Sequence, residues 1–249
     1  MQYPASRLMA LALLLGTGSA SLASPFYAPP PIDEKPHGFS GEAELGYTQL
    51  SGNTDSQTLI GKSQLTWLRD RWTHQLRGGV RHVSRDGEAS AEQYHLTGRE
   101  RYDLEGPHYL FGFTRWEKDR FSGYDQQLAA IVGYGRELIG GERHRLSLEA
   151  GPGYRHDRID SEPNASLAVA YGALAWHLEA TETTTLEQDF SVESTDDNTT
   201  SRALSSLTAR LNSRLAMRLS HEIKRNSQPP EEAEARTDRT SRVTLLYSW

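Results

Sequence analysis

Beyond residue 38 the chain carries almost no helical periodicity. Apolar and polar residues instead alternate with a period of two, as in strands whose two faces meet different surroundings. Phe39, Gly41, Ala43, Leu45 and Tyr47 lie on one side of the first run, with Ser40, Glu42, Glu44 and Thr48 on the other. Leu59, Gly61, Ser63, Leu65 and Trp67 oppose Thr58, Lys62, Gln64 and Thr66, and Leu76, Gly78 and Val80 oppose Gln75, Arg77 and Arg81. The same contrast sets Tyr94, Leu96 and Gly98 against His95, Thr97, Arg99 and Arg101, and Leu146, Leu148 and Tyr154 against Arg145, Glu149 and Arg155. Leu215, Met217, Leu219 and Ile223 oppose Arg218, Ser220, Glu222 and Lys224, and the final run sets Val243, Leu245, Tyr247 and Trp249 against Arg242, Thr244 and Ser248.

These runs predict about twelve strands, near 39–50, 56–68, 72–84, 92–104, 108–117, 126–138, 143–155, 165–177, 184–194, 200–211, 215–225 and 237–249. They are longer than the roughly 5 or 6 residues of globular sheets and match a tilted strand crossing a bilayer. In 108–117, 126–138 and 165–177 both faces are partly apolar, and the pattern leaves their facing open.

The connections alternate in character. Arg69-Asp70-Arg71, Glu105-Gly106-Pro107, Ile139-Gly140-Gly141-Glu142 and Asn212-Ser213-Arg214 carry tight-turn chemistry. Between them, Arg85 to Ala91, Lys118 to Asp125, His156 to Asn164 and Asn226 to Arg236 read as longer polar loops, while Ser51 to Asp55 and Thr195 to Thr199 are short. Short turns at one end and longer loops at the other suit an outer-membrane barrel. Aromatic residues gather at run ends: Trp67 and Trp72, Tyr102 and Tyr109, and Tyr247 and Trp249 at one end, with Tyr47, Tyr94 and Tyr154 at the other. Two such belts mark two membrane interfaces. A soluble β-sandwich or lipocalin-like barrel also alternates, with its apolar face turned inward. The length and charge of these runs favour the membrane form: an all-β fold, a transmembrane antiparallel up-and-down β-barrel over 38–249.

Upstream, Arg7 precedes the apolar run Leu8 to Leu15, and Ser21-Leu22-Ala23 fits an A-x-A-like cleavage site. Residues 1–23 therefore read as a secretory signal peptide, followed by a Pro-rich periplasmic segment over 24–37. The 249 residues hold 27 basic against 33 acidic side chains, a net charge of −6. An acidic chain with no basic block argues against a nucleic-acid partner. The absence of cysteine excludes disulfides, thiolate-ligated metals and a lipidated N-terminal cysteine. Mean hydropathy is −0.66, and past the leader no apolar run is long enough for a membrane helix. Hydropathy alone would describe a soluble protein, whereas alternation describes a barrel.

Gly41-Glu-Ala-Glu-Leu-Gly-Tyr47, Ser51-Gly-Asn-Thr54, Glu117-Lys-Asp-Arg-Phe-Ser-Gly-Tyr-Asp125 and Leu148-Glu-Ala-Gly-Pro-Gly-Tyr154 carry a family resemblance. With these motifs the mature chain resembles bacterial outer-membrane proteins labelled salt-induced, a domain family of unknown function. The resemblance implies an outer-membrane location in a Gram-negative bacterium and no particular chemistry. The ending Val243-x-Leu245-x-Tyr247-x-Trp249 is similar to the C-terminal signal read by the barrel-assembly machinery, with Trp in place of the usual Phe.

No motif for catalysis is complete. Gly61-Lys62-Ser63 lacks the leading glycine of a P-loop and sits in mid-strand; His221-Glu222 lacks a second histidine; Gly133-x-Gly135 and Gly151-Pro-Gly153 lack the third glycine and the helix of a nucleotide fingerprint. Glycines in strands mark bends or close packing. His82, His156, Asp157, Asp119, Ser122 and Asp125 fall near the outer rim, where a barrel hydrolase or acyltransferase acting on lipid or lipopolysaccharide would work. Asp196-Asp197 and Glu231-Glu232-x-Glu234 read as solvated loop charges. No cofactor or metal site is expected.

The polar faces are more informative. Glu42, Glu44, Lys62, Arg77, Arg81, Arg99, Arg101, Glu149, Arg155, Glu187, Asp189, Arg210, Arg218, Glu222 and Lys224 are expected to face the lumen. Such side chains either pair and brace a filled barrel or line a water path that selects solutes. The expected function is non-enzymatic, a narrow pore or a structural, stress-linked envelope component, with lipid and lipopolysaccharide as surroundings.

Overall fold

The computed structural model describes residues 37–50, 56–85, 88–119, 124–159, 163–228 and 236–249. The expected signal peptide and most of the N-terminal segment lie outside the described residues, as do Ser122 and the Glu231 cluster.

The alternating runs form twelve strands: β1 His37–Leu50, β2 Ser56–Arg69, β3 Trp72–Arg85, β4 Glu88–Asp103, β5 His108–Asp119, β6 Tyr124–Gly140, β7 His144–Ile159, β8 Ala165–Thr181, β9 Thr184–Ser194, β10 Thr199–Arg210, β11 Leu215–Asn226 and β12 Thr237–Ser248. Each pairs antiparallel with its chain neighbours, and β12 returns to β1 to close the barrel. Closure satisfies strand edges that would otherwise stand exposed in lipid. Residue 37 belongs to β1 rather than to the preceding segment.

Five short turns cluster at one end. Asp70 takes a left-handed φ of 54°, which its short side chain tolerates, and Gly106 one of 70°. Asn212 Oδ1 accepts from the backbone N–H groups of Arg214 and Leu215 at 2.9 and 3.0 Å, tying down the turn before β11. At the opposite end several strands run further than alternation predicts, β4 starting at Glu88 and β7 continuing to Ile159. The expected loop from Arg85 to Ala91 is consequently reduced to residues 86–87 between β3 and β4. Between the described strands the widest gap is that from Asn226 of β11 to Thr237 of β12, and its sequence holds the Pro229-Pro230 pair, which cannot donate ladder hydrogen bonds.

The apolar faces do not meet one another; they form the outside of the cylinder. Leu45, Val132 and Val243 are 66%, 62% and 63% exposed, whereas Glu149 and Glu222 are each 1% exposed inside. A soluble sandwich would invert that order. Trp67, Trp72, Tyr247 and Trp249 ring the short-turn end on the outside, and Tyr47, Tyr94 and Tyr154 the other. Trp249 also extends the closing seam, exchanging backbone hydrogen bonds of 3.1 and 3.0 Å with Gly41.

Tyr109 corrects the expected belt. Its parity on β5 turns it into the lumen, where it is fully buried, along with Phe111 and Phe113. The three strands of open facing all resolve this way: Tyr109, Phe111 and Phe113 of β5, Ala129 and Ile131 of β6, and Val169, Tyr171 and Ala173 of β8 point inward. Leu110, Leu128, Val132 and Tyr134 point out.

Candidate functional site

The lumen is the candidate site, and its content follows from strand parity. Glu44 of β1 and Lys62 of β2 are cross-strand partners and pair at 3.1 Å. Arg218 of β11 reaches across β12 to Glu42 at 3.4 Å and Glu44 at 3.3 Å, and across β10 to Glu187 of β9 at 3.7 Å. Thr208 accepts from its Nε at 3.0 Å. Glu222 binds Arg242 of the adjacent strand.

Other pairs cross the interior. Arg99 of β4 binds Glu149 of β7, both almost wholly buried. Arg115 of β5 holds Glu193 of β9 through two parallel bonds of 2.6 and 2.8 Å, a bidentate geometry that fixes both side chains. Arg202 of β10 approaches Glu117 of β5 at 3.6 Å, joining strands five places apart around a ring of twelve. Side chains from nearly opposite walls therefore touch. Arg155 pairs with Asp157 at 2.8 Å, and Gln127 donates to Asp157 at 3.1 Å.

Arg101 binds Asp103 at 2.7 Å and Glu137 at 2.8 Å while its guanidinium lies 3.5 Å from the centre of the Tyr109 ring. Arg99 lies over Phe111 and Phe113 at 5.0 and 5.8 Å. Tyr171 meets both of these rings edge-on, at 5.8 and 5.4 Å between centroids. Aromatic rings thus occupy the part of the lumen where the β4–β7 pair crosses. Cationic side chains over ring faces recover part of the free energy lost on leaving water.

The rings need room in the wall, and glycine supplies it. A Cβ at Gly135 would run into the Tyr109 ring; one at Gly133 would come within 2.6 Å of Phe111 and strike the Ala150 carbonyl oxygen as well. The two glycines of Gly133-x-Gly135 are seats for lumen aromatics.

Fourteen of the fifteen expected lumen residues point into this interior, including Arg77, Arg81, Asp189 and Lys224. Arg210 stands at the short-turn mouth, exposed, and borders a cavity of about 320 Å³ with Glu42, Thr185, Thr208 and Arg218. Beyond that cavity Glu44, Ser206, Ser220, Glu222 and Thr244 are buried.

Among the described rim residues, His82, His156, Asp157 and Asp125 are not brought together; the side chain of Asp119, like Ser122, lies outside the described part of the chain. His82 and His156 face outward, His82 lying 3.8 Å from Glu92 and His156 bonding Ser166, while Asp157 faces inward. Asp125 lies 3.8 Å from Lys118. Among the described residues no group of three or more His, Asp or Glu is arranged to hold a metal ion.

The lumen aromatics were hidden because apolar residues on both faces of a strand give no parity signal. The i, i+2 glycines of β6 offer the missing cue, a small-residue face needing a large partner. Arg115, Glu117, Glu193, Arg202 and Arg242 are further network members. Glu193 and Arg242 follow from extending the parity of Glu187 and of Val243.

Over residues 43–249 the chain matches the family described as Protein of unknown function, DUF481. It is 34% identical over 212 residues to the uncharacterized protein YdiY of Escherichia coli K12, covering 84% of this chain and 83% of that protein. Among solved structures it is similar to the translocator domain of the autotransporter NalP from Neisseria meningitidis, at 12% identity, 86% and 90% coverage and a TM-score of 0.51. It is also similar to the NanC porin, at 6% identity, 83% and 98% coverage and a TM-score of 0.53. At these identities the likeness is one of fold, the closed antiparallel barrel of outer-membrane proteins. The family match takes in the chain from the charged face of β1 to its last tryptophan, and on it the chain belongs to the DUF481 family.

Proposed function

We propose that this protein sits in the outer membrane as a filled, charge-braced barrel, a non-catalytic structural component of the envelope rather than an open diffusion pore. The observation that carries the reading is the meeting of opposite walls: Arg202 with Glu117, and Arg115 with Glu193, close the width of the lumen with side chains that are almost wholly buried. A water-filled channel would leave such groups solvated. The outward apolar band and its aromatic ends support placement in a bilayer with lipid and lipopolysaccharide around it. Assembly through the barrel-assembly machinery, with Val243, Leu245, Tyr247 and Trp249 as the recognised edge, belongs to the same proposal, as does induction by salt.

Purified protein in a planar bilayer is expected to give no steady ion current. A sustained, ohmic conductance in the unaltered protein would overturn the filled-lumen reading. Cell fractionation tests the location: recovery in the soluble periplasmic fraction without detergent would remove the membrane assignment altogether.

A further inference from the structure

One row of the outer surface departs from the apolar rule. Gln188 of β9, Ser205 of β10, His221 of β11 and Ser241 of β12 are successive cross-strand partners on the outward face. Ser205 Oγ donates to Gln188 Oε1 at 2.5 Å, and His221 Nδ1 and Ser241 Oγ share a bond of 2.8 Å. The rows on either side are mostly apolar: Leu186, Leu207, Leu219 and Val243 toward the short turns, and Phe190, Ala203 and Ile223 beyond, that second row ending on the exposed Arg239 of β12. Ser205 and His221 each stand six residues from the end of their turn, about 14 Å up a strand tilted by ~45°, near the middle of an apolar band roughly 25 Å tall. Elsewhere at this depth outward polar side chains such as Ser63 and Thr114 stand singly among the described residues.

Polar groups facing lipid at that depth are costly unless they meet partners. The bonds within the row satisfy some of them. His221 Nε2 has no partner among the described residues and points outward with the exposed Ser205. Every member of the row is uncharged or, for His221, neutral in its unprotonated form, and each both donates and accepts. Such a row is complementary to itself across a two-fold axis, without like charges opposed. The small side chains Ser201, Ala203 and Ala209 beside it on β10 permit close approach. The row also ends on the weakly held strand: β12 pairs with β11 over Thr237–Tyr247 but with β1 over only Leu245–Ser248.

We propose that this polar row is the contact face for a second copy of the chain, giving a two-fold dimer through β9–β12 within the membrane.

The chain has no cysteine, so single introduced thiols report without background. Ser205→Cys is compared with Leu96→Cys, an exposed position on β4, diametrically across the ring from β10. In membranes oxidised with copper–phenanthroline, S205C is expected to give a disulfide-linked dimer and L96C none. Native mass spectrometry of the unaltered protein from nanodiscs is expected to show the dimer mass, and the S205L/H221L variant a dimer fraction lowered at least tenfold. Heat-modified migration on gels verifies that the variant barrel is folded. Equal cross-linking of S205C and L96C, or a monomer mass for the unaltered protein, would overturn the proposal. So would a cross-link to a polypeptide of different mass, which would assign the row to another partner.

Discussion

Arg99 and Glu149 show how a single pair is committed once it enters the lumen. Both are held away from water, against Phe111, Phe113 and Tyr171, so removing one partner strands the other. Breaking such a pair costs about 3–5 kcal/mol, whereas replacing both members together costs far less. Arg99→Ala and Glu149→Ala are each expected to lower the temperature at which the folded band is lost on a gel. Arg99→Met with Glu149→Leu should recover most of that loss. If either single change leaves the melting unaltered, the pair is not braced as its geometry indicates. Arg115→Lys is expected to weaken the barrel as well, since an ammonium cannot reproduce the two parallel bonds to Glu193.

At the scale of strands, the pairing of β5 with β6 is a fit between rings and gaps. Gly135→Ala drives a methyl into the Tyr109 ring, a movable obstacle, while Gly133→Ala also meets the backbone oxygen of Ala150. Overpacking of this kind costs about 1–3 kcal/mol. G135A combined with Tyr109→Ala should therefore destabilise by less than the sum of the two single changes. G133A combined with Phe111→Ala should stay close to additive, because the clash with Ala150 persists. Thermal unfolding in detergent measures both cycles, and the reverse order of coupling would refute the seating of rings on glycines. The same strands mark where sequence reading succeeds and where it stops. Where one face is charged, as with Glu42 and Glu44 or Arg99 and Arg101, parity alone places every side chain. In β5, β6 and β8 part of the lumen face is apolar as well, and there only the neighbouring strand decides which apolar face goes in. At the rim, adjacent positions such as His156 and Asp157 sit near each other in sequence yet on opposite faces of the wall.

For the whole molecule, closure is uneven. β1 pairs with β2 along fourteen residue pairs but, among the described residues, with β12 along four plus the Trp249–Gly41 exchange, so the cylinder is held least firmly at its seam. Hydrogen exchange in detergent should find the amides of Thr237–Thr244 less protected than those of β11 beside them, because local opening follows the weakest pairing. Equal protection along both strands would mean that the seam extends further than its ladder. Twelve strands give a diameter that by itself permits either a channel or a packed interior. The charge content of the inward faces was readable from the sequence, but whether opposite walls touch depends on which long side chains share a level, which the stagger between distant strands decides.

If the lumen is filled as proposed, the cavity bounded by Arg210, Arg218 and Glu42 is a well with one mouth, at the short-turn end. A molecule that entered it from the short-turn side would have to leave by the route it came. Its dealings with the protein would be an equilibrium of residence, read as occupancy against concentration, and a flux assay would register nothing even when the well was full.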